Sequence, residues 1–148
     1  MKQLLVVKDL LSQGKTVKIL VRGNSMRPYL VHKRDYVLLH HSPTVQVGDV
    51  ALAEISPSHF VLHRIVKLSG NEVTLRGDGN VFGTEQCKLS DICGIAIKFY
   101  RKGREKAESA SSFRFRCYSW FWMNTRPLRR YILFLHRIFF HSYKDLTQ

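Results

Sequence analysis

The spacing of hydrophobic positions changes along the chain, and each change marks an element. In "MKQLLVVKDLLSQGK", Leu4, Val7 and Leu11 recur at helical intervals and Gly14 follows them. That spacing predicts an amphipathic helix ended by the glycine. Lys8 and Asp9 interrupt the run well before the roughly 18 apolar residues a membrane span requires, and no secretory leader is read there. From Lys15 to about Arg101 the period drops to two. "KTVKILV" places Val17, Ile19 and Val21 on one face, and "DYVLLHH", "GDVALAEI", "FVLHRIVKL", "VTLRGD" and "DICGIAIKFY" continue the series. Short strands separated by turns such as "HKRD", "SPSH" and "SGNE" predict a mainly β domain, an antiparallel barrel-like or bent sheet.

The alternation then stops. "RKGREKAESASS" is polar, charged and rich in small residues, and residues 102–112 read as a linker. The expected organisation is a β domain over 1–101, that linker, and a basic aromatic helical tail over 113–148. Drawn as a helix from Arg126, the tail puts Arg126, Arg130 and Arg137 in one stripe, with Leu128, Ile132, Leu135 and Phe139 opposite. Trp120, Phe121 and Trp122 precede it. Its longest stretches without a cation, "CYSWFWMNT" and "YILFLH", are too short to span a bilayer. The pattern suits either a helix lying in an anionic membrane interface over 113–141, or a helical hairpin folded on the β domain.

Charge sharpens this picture. The 148 residues carry a formal net charge of +13, which suggests an anionic partner. Residues 1–97 hold 12 Lys/Arg against 8 Asp/Glu, whereas 98–148 hold 12 against 3, so the excess sits in the tail. Nucleic acid is the weaker of the two anionic partners, because the tail's aromatics cluster with aliphatics and not on a polar sheet face. Cys87, Cys93 and Cys117 are odd in number and lack CxxC spacing, which argues against a disulfide framework or a zinc site. His40–His41 and the pair His136 and His141 lack the i, i+4 spacing of helical metal ligands. No metal and no cofactor are expected.

The candidate chemistry begins at "RGNSMRPYL", residues 22–30. Ser25 reads either as a helix N-cap or as a nucleophile, and a nucleophilic serine needs a neighbour to take its proton. His63 lies inside "FVLHRIV" on the face of Val61 and Ile65, as a core histidine or as a base in a cleft. Lys67 shares that face by alternation but stands about 13 Å along the strand, an inferior candidate. Asp78 in "RGDGN" is either a turn aspartate or a carboxylate partner for the imidazole.

A resemblance narrows these alternatives. "GNSMRP" resembles the Ser-Met-x-Pro nucleophile box shared by signal peptidases I and LexA-type self-cleaving repressors, the S24/S26 serine peptidases. "HKRDYVLL", "VQVGDVALAE", "VLHRIV" and "LRGDGN" follow in the order of that superfamily's later segments, over roughly residues 15–100. The resemblance implies Ser25 as nucleophile and His63 as general base, the histidine type of endoplasmic-reticulum, archaeal and some bacterial signal peptidases. Most bacterial signal peptidases and LexA-type proteins have lysine at that position, and imidazole can replace it because it titrates near neutral pH. Asp78 is the carboxylate the resemblance favours. Histidine-type enzymes carry a further aspartate several residues on, where this chain has "VFGTEQC", so Thr84 or Glu85 stands near that place and Glu85 is the alternative third member. Gly23 and Asn24 would line the cleft, Met26 would pack beneath the nucleophile, and the Ser25 N–H would lead the oxyanion hole. Asp35 and Asp49 fall to turns that shape the cleft.

The function so implied is a serine endopeptidase resembling signal peptidase I, without that family's N-terminal anchor. It would cut a leader or pro-segment from a peptide or exported protein, working in the cytoplasm or peripherally on the inner membrane face. A non-catalytic peptide-binding or membrane-surface module on the same fold is the alternative, as is a LexA-like self-cleaving regulator.

Overall fold

The computed structural model describes residues 2–145, with side chains up to Phe139 other than that of Arg126. Arg126 of the expected arginine stripe, and His141, therefore lie outside the described side chains. Helix α1 (Lys2–Ser12) forms as its periodicity predicts, burying Val7 and Leu11. Gly14 ends it at φ +78°, with Lys15 N donating to Leu10 O and Gly14 N to Leu11 O. These two bonds satisfy the last helical carbonyls, and glycine occupies the left-handed position at no steric cost.

The strands are β1 (Val17–Leu20), β2 (Tyr36–His40), β3 (Val50–Ser56), β4 (His59–Ser69), β5 (Glu72–Arg76), β6 (Glu85–Lys88), β7 (Ile92–Tyr100) and β8 (Glu108–Ser109). They form one antiparallel sheet in the order β1-β2-β7-β3-β4-β5-β6, with β8 paired to β7. Register shifts at Leu38/Leu39, Leu52/Ala53, Glu54/Ser56 and Ile65/Lys67 break the regular pleat. Such bulges bend strands, and the result is the expected bent sheet, open at β1 and β6.

Alternation along β3 and β7 builds two cores. Val50, Leu52 and Phe99 join Val37, Leu39, Met26, Leu30 and Leu11 on one side. Ala51, Ala53, Ile65, Val73, Leu75 and Ile92 form the other.

Two strands escape sequence patterning. "EQCK" has no apolar alternation, yet it pairs with β5 from Glu72↔Lys88 to Leu75↔Glu85. In the expected linker, β8 pairs Phe99↔Glu108 and Lys98↔Ser109. Backbone pairing sustains both.

The tail divides into α2 (Phe113–Asn124) and α3 (Arg126–Asp145). Ser112 caps α2 by accepting from Phe115 N. Phe115, Ser119 and Trp122 are buried at i, i+4 and i+7. The rings of Phe115 and Tyr118 pack against Tyr29 at 5.3 and 4.7 Å, and Phe115 against Phe99 at 4.6 Å. The first helix of the tail is thus part of the core. Arg129 of α3 is also buried and donates to Trp122 O, so this arginine is not merely solvated. Among the described residues, no helix is long and apolar enough to cross a membrane.

Candidate active site

The segment between β1 and β2 carries Ser25. Val21 N donates to Asp35 O and Lys33 N to Val21 O, which closes the base of the loop. Asp35 is fully buried; it accepts from Val31 N, Lys102 N and the Arg34 guanidinium. Burial pushes its carboxyl upward, but the Arg34 and backbone bonds outweigh it and hold the pKa below the ordinary value. Asp49 likewise occupies a turn, accepting from Gln46 N. Both carboxylates thus accept backbone N–H groups beside turns.

Ser25 does not begin a helix. It sits in consecutive turns in which Arg27 N donates to Asn24 O and Leu30 N to Met26 O. Met26 is 1% exposed and roots this turn in the core. Gly23 adopts φ +84°, and its N–H goes to His32 Nδ1 at 2.7 Å. A Cβ at Gly23 would meet open space, so glycine is needed there for its backbone and leaves one side of the loop clear.

β4 supplies the next residues. His63 pairs with Ala51 and Arg64 with Val50, so these neighbours point to opposite faces. His63 shares its face with Ile65, and the pairings Ile65↔Leu75 and Leu75↔Glu85 carry that face across β5 to β6. Glu85 therefore stands on the side of the imidazole, and Glu85 Oε2 lies 2.8 Å from His63 Nδ1. The His63 side chain is 6% exposed and that of Glu85 29%.

The pairing of β4 with β5 ends at Arg64↔Arg76, and Gly77 follows directly. A Cβ on Gly77 would lie 2.9 Å from Ser25 Cβ and 2.4 Å from Ser25 O. The missing Gly77 side chain leaves the space that Ser25 occupies. Gly79 N donates to Ser25 O at 2.7 Å, and Asn80 N to Gly77 O closes the turn. Among the described residues no direct hydrogen bond joins Ser25 Oγ to His63, whose ring bonds to Glu85.

Asp78 departs from expectation. It does not meet the imidazole: its carboxylate takes a bidentate pair from Arg64, Nε to Oδ1 at 2.8 Å and a terminal nitrogen to Oδ2 at 2.7 Å. The reason is the pleat, which sends Arg64 to the face opposite His63, and Asp78 follows the arginine. Arg64 is 1% and Asp78 also 1% exposed. Burial works to strip the Arg64 proton, but Asp78 outweighs it and the guanidinium pKa is raised.

Lys67 departs as well. The shift between Ile65 and Lys67 pairs Lys67 with Thr74, which puts it on the face opposite His63.

The residues that sequence reasoning missed lie around Arg64. Its remaining nitrogen donates to Gly48 O and to Ser119 Oγ of α2. Tyr118 donates to Asp78 Oδ2 at 3.4 Å, and Trp122 Nε1 donates to Asp78 O at 3.0 Å. Arg129 reaches Asn80 O at 3.4 Å. The tail thereby clamps the Gly77–Asn80 turn on which Ser25 rests. The signal available in sequence was Arg64 itself, a charge at a core-facing position that demanded a buried carboxylate.

Among the described residues, no three His, Cys, Asp or Glu side chains converge as a metal would require. No curated protein matches the chain. A family model described as Peptidase S24-like matches residues 2–97, the helix and the sheet that carry Ser25, His63 and Glu85. The chain belongs to the Peptidase S24-like family.

Proposed function

We propose that the chain is a serine endopeptidase that, like signal peptidase I, removes a leader or pro-segment, with Ser25 as nucleophile, His63 as base and Glu85 as the orienting carboxylate. The observation that carries this reading is the His63 Nδ1–Glu85 contact of 2.8 Å, with Ser25 seated against Gly77 one residue past the Arg64↔Arg76 pair. With Nδ1–H donated to Glu85, Nε2 is the free acceptor. It takes the Ser25 proton as Oγ bonds to the scissile carbonyl carbon. Glu85 stabilises the imidazolium, and the oxyanion takes backbone N–H groups, that of Ser25 first. The imidazolium then protonates the leaving amine as the C–N bond breaks. Water, deprotonated by His63, releases the acyl group from Ser25. An extended substrate has access along the clear side of Gly23.

The test is to incubate the full chain with a pool of defined peptides and with precursor proteins, and to identify cuts by mass spectrometry. Cleavage by the parent, abolished in Ser25→Ala and His63→Ala proteins of unchanged fold, supports the reading. Cleavage of the chain alone, at its own backbone, would favour a LexA-like regulator. Peptide binding that survives Ser25→Ala, with no cut in any substrate, would favour a binding module.

A further inference from the structure

Helix α3 turns two unlike faces to its surroundings. Arg129, Ile132, Leu133 and His136 are buried or half-buried toward the domain. Opposite them Leu128, Tyr131, Phe134, Leu135, Ile138 and Phe139 are exposed, from 47% to 72%. Six contiguous large apolar side chains in water are a liability unless something covers them.

Charge indicates what covers them. Between Phe113 and Phe139 there are six arginines and no carboxylate. Arg130 and Arg137, on one stripe, border the apolar arc along one edge, and both are exposed. On the domain side of α3 a cleft of about 430 Å³ is walled by Arg34, Arg101, Arg104, Arg114 and His136, with Glu108 beside them. Burial, then Arg27 and Arg34, lower the His136 pKa, in keeping with a positive field there. A second copy of the chain docked through this face would bring arginines against arginines. An anionic bilayer satisfies both the apolar arc and its cationic border.

The face also reaches the loop between β5 and β6 that carries the Gly77–Asn80 turn. Phe82, 86% exposed, follows the Gly77–Asn80 turn, and it shares a cleft with Arg130 and Tyr131 of α3.

We propose that α3 lies in the interface of an anionic phospholipid bilayer, with its Leu128–Phe139 face among the acyl chains and its arginines at the phosphates. This placement stands apart from the peptidase reading, because it requires no catalysis. The test is flotation of the full chain with vesicles of phosphatidylglycerol and phosphatidylcholine, against vesicles of phosphatidylcholine alone. Strong binding to the first and weak binding to the second are expected. Leu135→Ser with Ile138→Ser, both at exposed positions, should lower binding at least about tenfold with an unchanged circular dichroism spectrum. Arg130→Gln and Arg137→Gln should each lower it about fivefold, an effect that fades as salt is raised. Ser25→Ala should bind like the parent, which separates this result from any failure of the peptidase reading. Equal binding to both vesicle types would overturn the proposal. So would a dimer in light scattering that the Leu135→Ser, Ile138→Ser protein loses, since the face would then belong to a second copy.

Discussion

Two consecutive residues of β4 each meet a carboxylate, and the two pairs differ in nearly every other respect. His63–Glu85 spans β5 to join β4 and β6 on one face of the sheet, with Glu85 still 29% open to solvent. Arg64–Asp78 lies on the other face with both side chains at or below 2% exposure, enclosed by α2. A buried bidentate pair is costly to desolvate and weak as a source of net stability, but breaking it strands a charge. It suits a fixed structural joint. An imidazole–carboxylate pair with one partner partly open to solvent suits the proposed chemistry. The same strand thus supplies the candidate base on one side and, through Asp78, the mount for the Ser25 turn on the other.

The comparison is broken most severely on the chemical side. Ser25→Ala and His63→Ala should each lower peptide cleavage by about 10⁴-fold or more while thermal melting stays near the parent's. Retained turnover in either would remove the assignment.

On the structural side the order reverses. Arg64→Ala leaves Asp78 buried and unpaired, and should cost about 3–5 kcal/mol in a urea titration. Ending the chain near Arg104 takes away Phe115 and Trp122 together. At about 3–5 kcal/mol for each large aromatic, that approaches the whole stability of a domain. The truncated protein should be insoluble or unfolded, as judged by circular dichroism. A folded, active 1–104 fragment would show that α2 merely rests on the sheet.

The conservative pair of variants sharpens the contrast. Glu85→Gln should slow kcat by about 10²-fold, less than a fully buried triad carboxylate would, and leave the melting temperature in place. Asp78→Asn should do the opposite, lowering the melting temperature through its effect on Arg64 while the shape of the pH–rate profile is kept. If Asp78→Asn alone alters that profile, the carboxylate roles are exchanged. The smallest effect belongs to Lys67→Ala, with cleavage within about twofold of the parent, since the bulge turns Lys67 away from His63.

Much of this protein was legible in its residues because the relevant forces act locally. Period-two alternation is a direct consequence of the pleat, so β1 to β5 and β7 could be read from side chains alone. The Gly14 terminus followed from backbone sterics, and the opposed faces of His63 and Arg64 from adjacency on a strand. Ser25 and His63 stood out because a hydroxyl and an imidazole have chemistry of their own. What the residues could not decide is which partner each would meet. β6 and β8 exist through hydrogen bonds to strands already formed, which no pattern within "EQCK" or "ES" encodes. Choosing between Asp78 and Glu85 required the registers of β4, β5 and β6 together, since a shift of one residue moves every side chain to the other face. The burial of α2 was settled in the same way. Its amphipathic face is a local property, but only the packed sheet offers Asp78, Arg64 and Tyr29 for that face to cover.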